Sequence, residues 1–237
     1  MIDIALYFLF IAAFVFSLVA QIKVSSTFKK FSRVPAGRGR TAAEVARRIL
    51  DSHGLYHVNI ERVRGSLTDH YDPRAQVLRL SDSVYGSSSA AAVGVAAHEV
   101  GHAIQHATAY KPLVFRNALV PTVNFASRFS WIAIMVGCLI MALSRIDGAY
   151  YLLGQYLLLG GIVLFSATTL FHLVTLPCEL NASRRALNEL EYTGWYSKGE
   201  LSDCKSVLTA AAMTYVAALA VSLIQLLRLL AMFNRRR

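Results

Sequence analysis

Residues 96–107 read AAHEVGHAIQHA, which sets His98 and His102 four residues apart with Glu99 directly after the first. Ser87, Ser88 and Ser89 offer N-caps, an alanine-rich run follows from Ala90 to Ala97, and Pro112 helps to end the pattern. This predicts a helix from about Ser89 to Tyr110. On a helix, residues four apart lie one above the other, roughly 5–6 Å between Cβ atoms. Two imidazoles so placed can reach one zinc ion at about 2.0–2.1 Å each. Zinc lowers the pKa of a water toward about 7 and polarises a carbonyl. Glu99 is placed to take that water's proton and pass it to a leaving amine. His98-Glu99-x-x-His102 on a helix therefore points to zinc-dependent peptide hydrolysis with Glu99 as the catalytic base.

A catalytic zinc needs a third protein ligand and an open fourth position. His106 lies about 12 Å from His98 along the axis and cannot join both histidines on a straight helix. The metzincin pattern would need a histidine at position 108, which is Thr108, so that class is excluded. Glu179, just past Pro177, is the preferred third ligand, giving one Zn2+ per chain held by His98, His102 and Glu179. Cys178 is a softer rival. The plainer reading of Glu179 is an interfacial carboxylate paired with Arg184 or Arg185.

Around this motif the chain is built for a bilayer. Of 237 residues, 55% are hydrophobic and only 16% charged, against about a quarter charged in soluble domains. Apolar runs occupy Ile2–Ile22, Phe129–Leu143, Tyr150–Cys178 and Leu208–Leu227. Each approaches the roughly 20 residues of a spanning helix, the second by borrowing Asn124 and Ser127. Three spans and a fourth are expected. The first lacks a basic n-region and is too long for a signal-peptide core, so it reads as an uncleaved helix. Cys138, Cys178 and Cys204 form no C-x-x-C pair, so neither a cysteine–zinc knuckle nor a disulfide framework is supported.

The net charge is +10, and between Lys23 and Arg116 there are fourteen Lys/Arg against seven Asp/Glu. These basic residues crowd beside apolar runs, which fits anionic lipid headgroups and not a nucleic-acid partner. The positive-inside rule puts the N-terminus outside and the site-bearing segment in the cytoplasm. Two crossings return Pro177 to Lys205 to the same side. A full fourth crossing would place Arg235, Arg236 and Arg237 outside, so the last helix either crosses against the rule or stops short. The expected organisation is a first membrane helix over 1–22, a cytoplasmic module over 23–118 and a membrane hairpin over 119–176. A cytoplasmic segment follows over 177–206, then a fourth membrane helix over 207–233.

The polar module reads as α+β. Thr41 and Glu44 form a capping-box signature, Val45, Ile49 and Leu50 follow at helical spacing, and Gly54 is a C′ stop. His53 and His57 flank that stop, so they do not share a helix face and carry no assigned role. Val58 and Ile60, then Leu78 and Leu80, alternate with polar residues as half-buried strands do. Asp72-Pro73 marks a turn between them.

AAHEVGHAIQHA, preceded by GSLTDHYDPRAQVLRLS and followed by LPCELNASRRAL, resembles the YugP-type family of membrane zinc metallopeptidases. The likeness extends to the early TAAEVARRIL and the late LTAAAMTYVAAL. More distantly the chain is similar to HtpX-like gluzincin peptidases, where a membrane hairpin also separates H-E-x-x-H from the glutamate ligand. The resemblance implies an α+β zincin-like catalytic module integrated with a multi-pass α-helical membrane domain of three to four transmembrane helices. It implies His98, His102 and Glu179 as ligands and Glu99 as base. The expected function is a zinc endopeptidase cutting membrane-associated or unfolded polypeptides at the cytoplasmic face of the cell membrane. The HtpX-like pattern has an aspartate where this chain has Ser183, so orientation of a ligating histidine falls in part to Asn181 or Ser183. His106, His172, His70, Tyr71, Arg184 and Arg185 stand as secondary candidates, His70 or Tyr71 for the oxyanion. The alternative function is a catalytically weak, zinc-stabilised membrane scaffold or pseudoprotease, against which an intact Glu99 argues.

Overall fold

Thr41 closes its capping box in space: its hydroxyl accepts from Glu44 N–H while the Glu44 carboxylate accepts from Thr41 N–H. The helix it starts runs over Ala42–Ser52 and ends where Gly54 takes a positive φ of 70°, as a C′ glycine does. A computed structural model of the chain describes residues 2–144 and 148–235; Arg236 and Arg237, on which the topology reading leaned, lie outside the described residues.

In order, the elements are α1 (Ile2–Phe31), α2 (Ala42–Ser52), β1 (Asn59–Val63), β2 (His70–Asp72), β3 (Val77–Ser81), α3 (Ala90–Ala107), α4 (Lys111–Leu143), α5 (Gly148–Tyr192) and α6 (Lys198–Arg235). The fold is mostly helical with a small mixed sheet. Among the described residues four helices, α1, α4, α5 and α6, are long and apolar enough to cross a membrane.

The sheet has the order β1-β3-β2, with β1 parallel and β2 antiparallel to β3. Alternation predicted half-buried strands, and β3 departs from this: Val77, Leu78, Leu80 and Ser81 are all buried, because it is the central strand. The Asp72-Pro73 signal marks the turn over 73–76 that joins the short strand β2 to β3.

Pro177 and Pro112 both lie within helices. Pro177 lies inside α5, which continues to Tyr192. A proline removes one intrahelical hydrogen bond, and neighbouring helices can compensate for that loss. Pro112 sits in the first turn of α4, while α3 ends at Ala107 with Thr108 as its C-cap. Proline is at home in a first turn, where its missing N–H has no partner to lose.

The described residues fall into two compact units. One comprises those of Met1–Leu18, Phe115–Leu176 and Tyr215–Arg237. Its interior is a cluster of Ile134, Met141, Leu158, Ile162, Phe165 and Leu229. The other comprises Val19–Val114 and Pro177–Thr214. It holds α2, the sheet, α3 and the last turns of α5 around a continuous core that includes Val45, Ile49, Leu78, Leu80, Val93 and Leu190.

Candidate metal centre

Helix α3 is the platform, and Ser89 starts it, its hydroxyl accepting from Ala92 N–H. Ala90 to Ala97 are small or β-branched and almost all buried, so other elements approach α3 on every side. One turn further on, the rings of His98 and His102 stand edge to face, centroids 4.8 Å apart.

Gly101 sits between the two histidines on the approach of α5. A Cβ built there would lie 2.6 Å from Ala182 O, closer than any side chain permits. Its bare Cα lets the two backbones meet, and Glu179, three residues before Ala182, reaches the imidazoles. Glu179 Oε2 lies 3.2 Å from His98 Nε2 and 3.5 Å from His102 Nε2. The three candidate ligand atoms lie within 4.8 Å of one another. Two ligands of a tetrahedral zinc with bonds of about 2.0–2.1 Å are themselves roughly 3.3–3.4 Å apart, so the spacing and the N2O donor set suit that ion. The Cys178 thiol does not belong to this cluster.

Burial alone would raise the Glu179 pKa, but hydrogen bonds from His102 and His98 outweigh it and hold the carboxyl well below the usual range. For His102, burial alone would lower the pKa. The Glu179 hydrogen bond and the Glu99 charge overcome it and raise the value. Both directions describe a pocket that draws positive charge.

The hydrogen-bond network fixes one tautomer. Gln105, fully buried, donates through Nε2 to Cys178 O at 2.8 Å and to Asn181 Oδ1 at 3.0 Å. Asn181 Oδ1 also accepts from Arg185 Nε at 2.9 Å, and a guanidinium only donates. The amide of Gln105 is thereby oriented, and its Oε1 accepts from His102 Nδ1 at 3.0 Å. With its proton on Nδ1, neutral His102 turns a lone pair on Nε2 toward the Glu179 oxygen. Two acceptors facing each other require a cation between them, a proton or a metal ion. His98 Nδ1 meets Ser183 Oγ at 3.1 Å, so Ser183 takes up the position expected of an aspartate.

Glu99 follows His98 on the same turn, and its Oε2 accepts from the backbone N–H of Tyr71 on β2 at 3.1 Å. The Tyr71 hydroxyl is engaged by His106 Nδ1 at 3.0 Å. His70 is tied to Thr68 O and Arg79. His53 pairs with Glu189 at 2.9 Å. His172 lies in the helical unit, lining a recess with Trp131 and Phe165. Sequence reading missed Gln105 and the Tyr71 N–H. A lone amide at helical spacing from His102 in an apolar helix was a usable signal for the first; a backbone donor leaves none.

Comparison with known proteins identifies the family. The family model described as "Putative neutral zinc metallopeptidase" matches residues 6–234. The chain is 49% identical over 226 residues, 95% of each chain, to the "Putative membrane protease YugP" of Bacillus subtilis (strain 168). No solved structure matches it significantly. With its four apolar helices the chain is a membrane protein, and it belongs to the zinc metallopeptidase family that this model describes.

Proposed function

We propose that this chain is a membrane-bound, zinc-dependent endopeptidase of gluzincin type. In this reading His98, His102 and Glu179 hold one zinc ion per chain and Glu99 is the general base. The observation that carries it is the convergence of two imidazole nitrogens and one carboxylate oxygen within 4.8 Å, next to a Glu99 carboxylate tethered by a backbone N–H.

Zinc bound there would supply a Lewis acid that polarises the scissile carbonyl and acidifies a water. Glu99 Oε2 is occupied by Tyr71 N–H, so Oε1 takes the proton from the attacking water and delivers it to the leaving amine. Gln105 keeps the proton of His102 on Nδ1, and Ser183 steadies His98. Residues 23–118 and 177–206 form an α+β zincin-like module. The basic charges beside the first apolar run put this module on the cytoplasmic face of the cell membrane. The relative's description as a membrane protease supports a polypeptide substrate, which this reading takes to be membrane-associated or unfolded protein.

The test is metal analysis of detergent-purified protein combined with cleavage of unfolded casein. Wild type should carry about one zinc per chain. Glu99→Gln should keep the metal and lose activity on the order of 10²–10⁴-fold. Glu179→Ala should lose both metal and activity. Full zinc in Glu179→Ala would remove that residue from the site. A wild type with zinc but no cleavage would favour the scaffold reading.

A further inference from the structure

Arg228 stands near the end of α6, just past the apolar run that closes at Leu227. Its guanidinium lies over two rings of α1, 4.5 Å from the centroid of Phe10 and 5.4 Å from that of Tyr7. It donates to Gln225 Oε1 at 2.9 Å. Among the residues whose side chains are described, it pairs with no carboxylate. A cation on a membrane helix is costly unless an anion or water meets it. Stacking on rings holds the guanidinium plane fixed while leaving its edge donors for an oxyanion.

Two recesses of this helical unit adjoin Gln225. The first, about 410 Å³, is lined by Tyr7, Arg228, Arg235 and Met232. The second, about 400 Å³, is lined by Phe10, Phe14, Trp131, Phe165 and His172. Gln225 belongs to both. Each has the size of an ordinary small-ligand pocket, about 300–1,000 Å³. The second recess has polar groups among its rings, including Thr168, whose buried hydroxyl has no hydrogen-bond partner among the described residues.

A basic recess sharing a wall residue with an aromatic one matches the two ends of a phospholipid. We infer that this groove is a binding site for an anionic phospholipid. The phosphate pairs with Arg228 and the basic wall, the glycerol ester region lies along Gln225, and an acyl chain fills the aromatic recess. Arg228 presents two parallel N–H donors to phosphate oxygens, a geometry lysine cannot reproduce. The site is independent of the metal centre and does not rest on its chemistry.

Acyl-brominated lipid reads this directly, because Trp131 lines the second recess and the chain has two tryptophans. In full-length protein carrying Trp195→Phe, delipidated in detergent, brominated phosphatidylglycerol should quench Trp131 at lower concentration than brominated phosphatidylcholine. One basic contact to an anionic headgroup makes this preference about fivefold. Arg228→Gln should abolish the preference and Arg228→Lys should retain part of it. Arg128→Gln, an exposed arginine of the same unit that lines neither recess, should leave it intact. Equal quenching by the two lipids would overturn the proposal. So would a preference lost equally in Arg128→Gln, or displacement by inorganic phosphate as effective as by unbrominated phosphatidylglycerol.

Discussion

The two units of this chain bury opposite surfaces. In the unit that carries His98, His102 and Glu179, large apolar side chains are sealed inside: Leu78, Leu80, Val45 and Val93 are fully buried. In the unit built from α1, α4 and parts of α5 and α6, apolar side chains point outward. Phe8, Met135 and Val163 are 65%, 68% and 61% exposed, and most of the apolar length of α1 is not buried. The same residue types thus serve two solvents. In water, burying a leucine is worth about 1.5–3 kcal/mol; facing lipid, an exposed leucine costs nothing, and packing with hydrogen bonds does the work of association.

The largest effect that probes this contrast is a matched pair of truncations. Leu78→Ala in the dry core should destabilise by about 2–5 kcal/mol. Leu153→Ala on the outward face of α5 should stay within roughly 0.5 kcal/mol. Thermal or denaturant unfolding in detergent checks both, and equal costs would erase the distinction. Next comes a pair of glycines. Gly101→Ala meets Ala182 backbone at 2.6 Å, whereas Gly160→Ala meets nothing within 4 Å. Overpacking at the first should cost about 1–3 kcal/mol and part Glu179 from the histidines, so zinc is stripped by a weaker chelator. The second should behave as wild type.

A smaller effect follows from the buried amide. Gln105→Leu fills the same space but releases His102 from its tautomer, and should weaken zinc binding by about 10–100-fold. Gln105→Glu, which can still accept from Nδ1, should recover part of that loss in a chelator competition. The smallest effect belongs to Cys204. Burial, aided by Asp203 and Glu200, pushes its thiol up to about 12, and it donates to Ala90 O. The unfolded chain ionises this thiol near ~8.5, so the stability tied to the protonated form is complete below that pH. It declines as pH rises toward the folded value. In native protein at pH 8.5 Cys204 should resist iodoacetamide, and unfolding should expose it; rapid native labelling would count against a sealed core.

The helix carrying His98 and His102, its Ser89 cap, the Thr41–Glu44 box and the apolar helices were all written in short-range patterns. Each depends on residues within a few turns of one another. Backbone periodicity alone stacks two imidazoles four residues apart, and apolar length alone marks a helix able to cross a membrane. Tertiary structure decided what those patterns leave open. Cys178 and Glu179 are adjacent in sequence but point about 100° apart on a helix. Which of them meets the imidazoles depends on the phase at which α5 docks on α3, and that contact is set by Gly101 and Ala182. The same docking brought Ser183 to His98 and Gln105 to the backbone of Cys178. Pairings across some eighty residues have no local signature, because they arise from how two buried surfaces fit and not from the preferences of either strand of sequence.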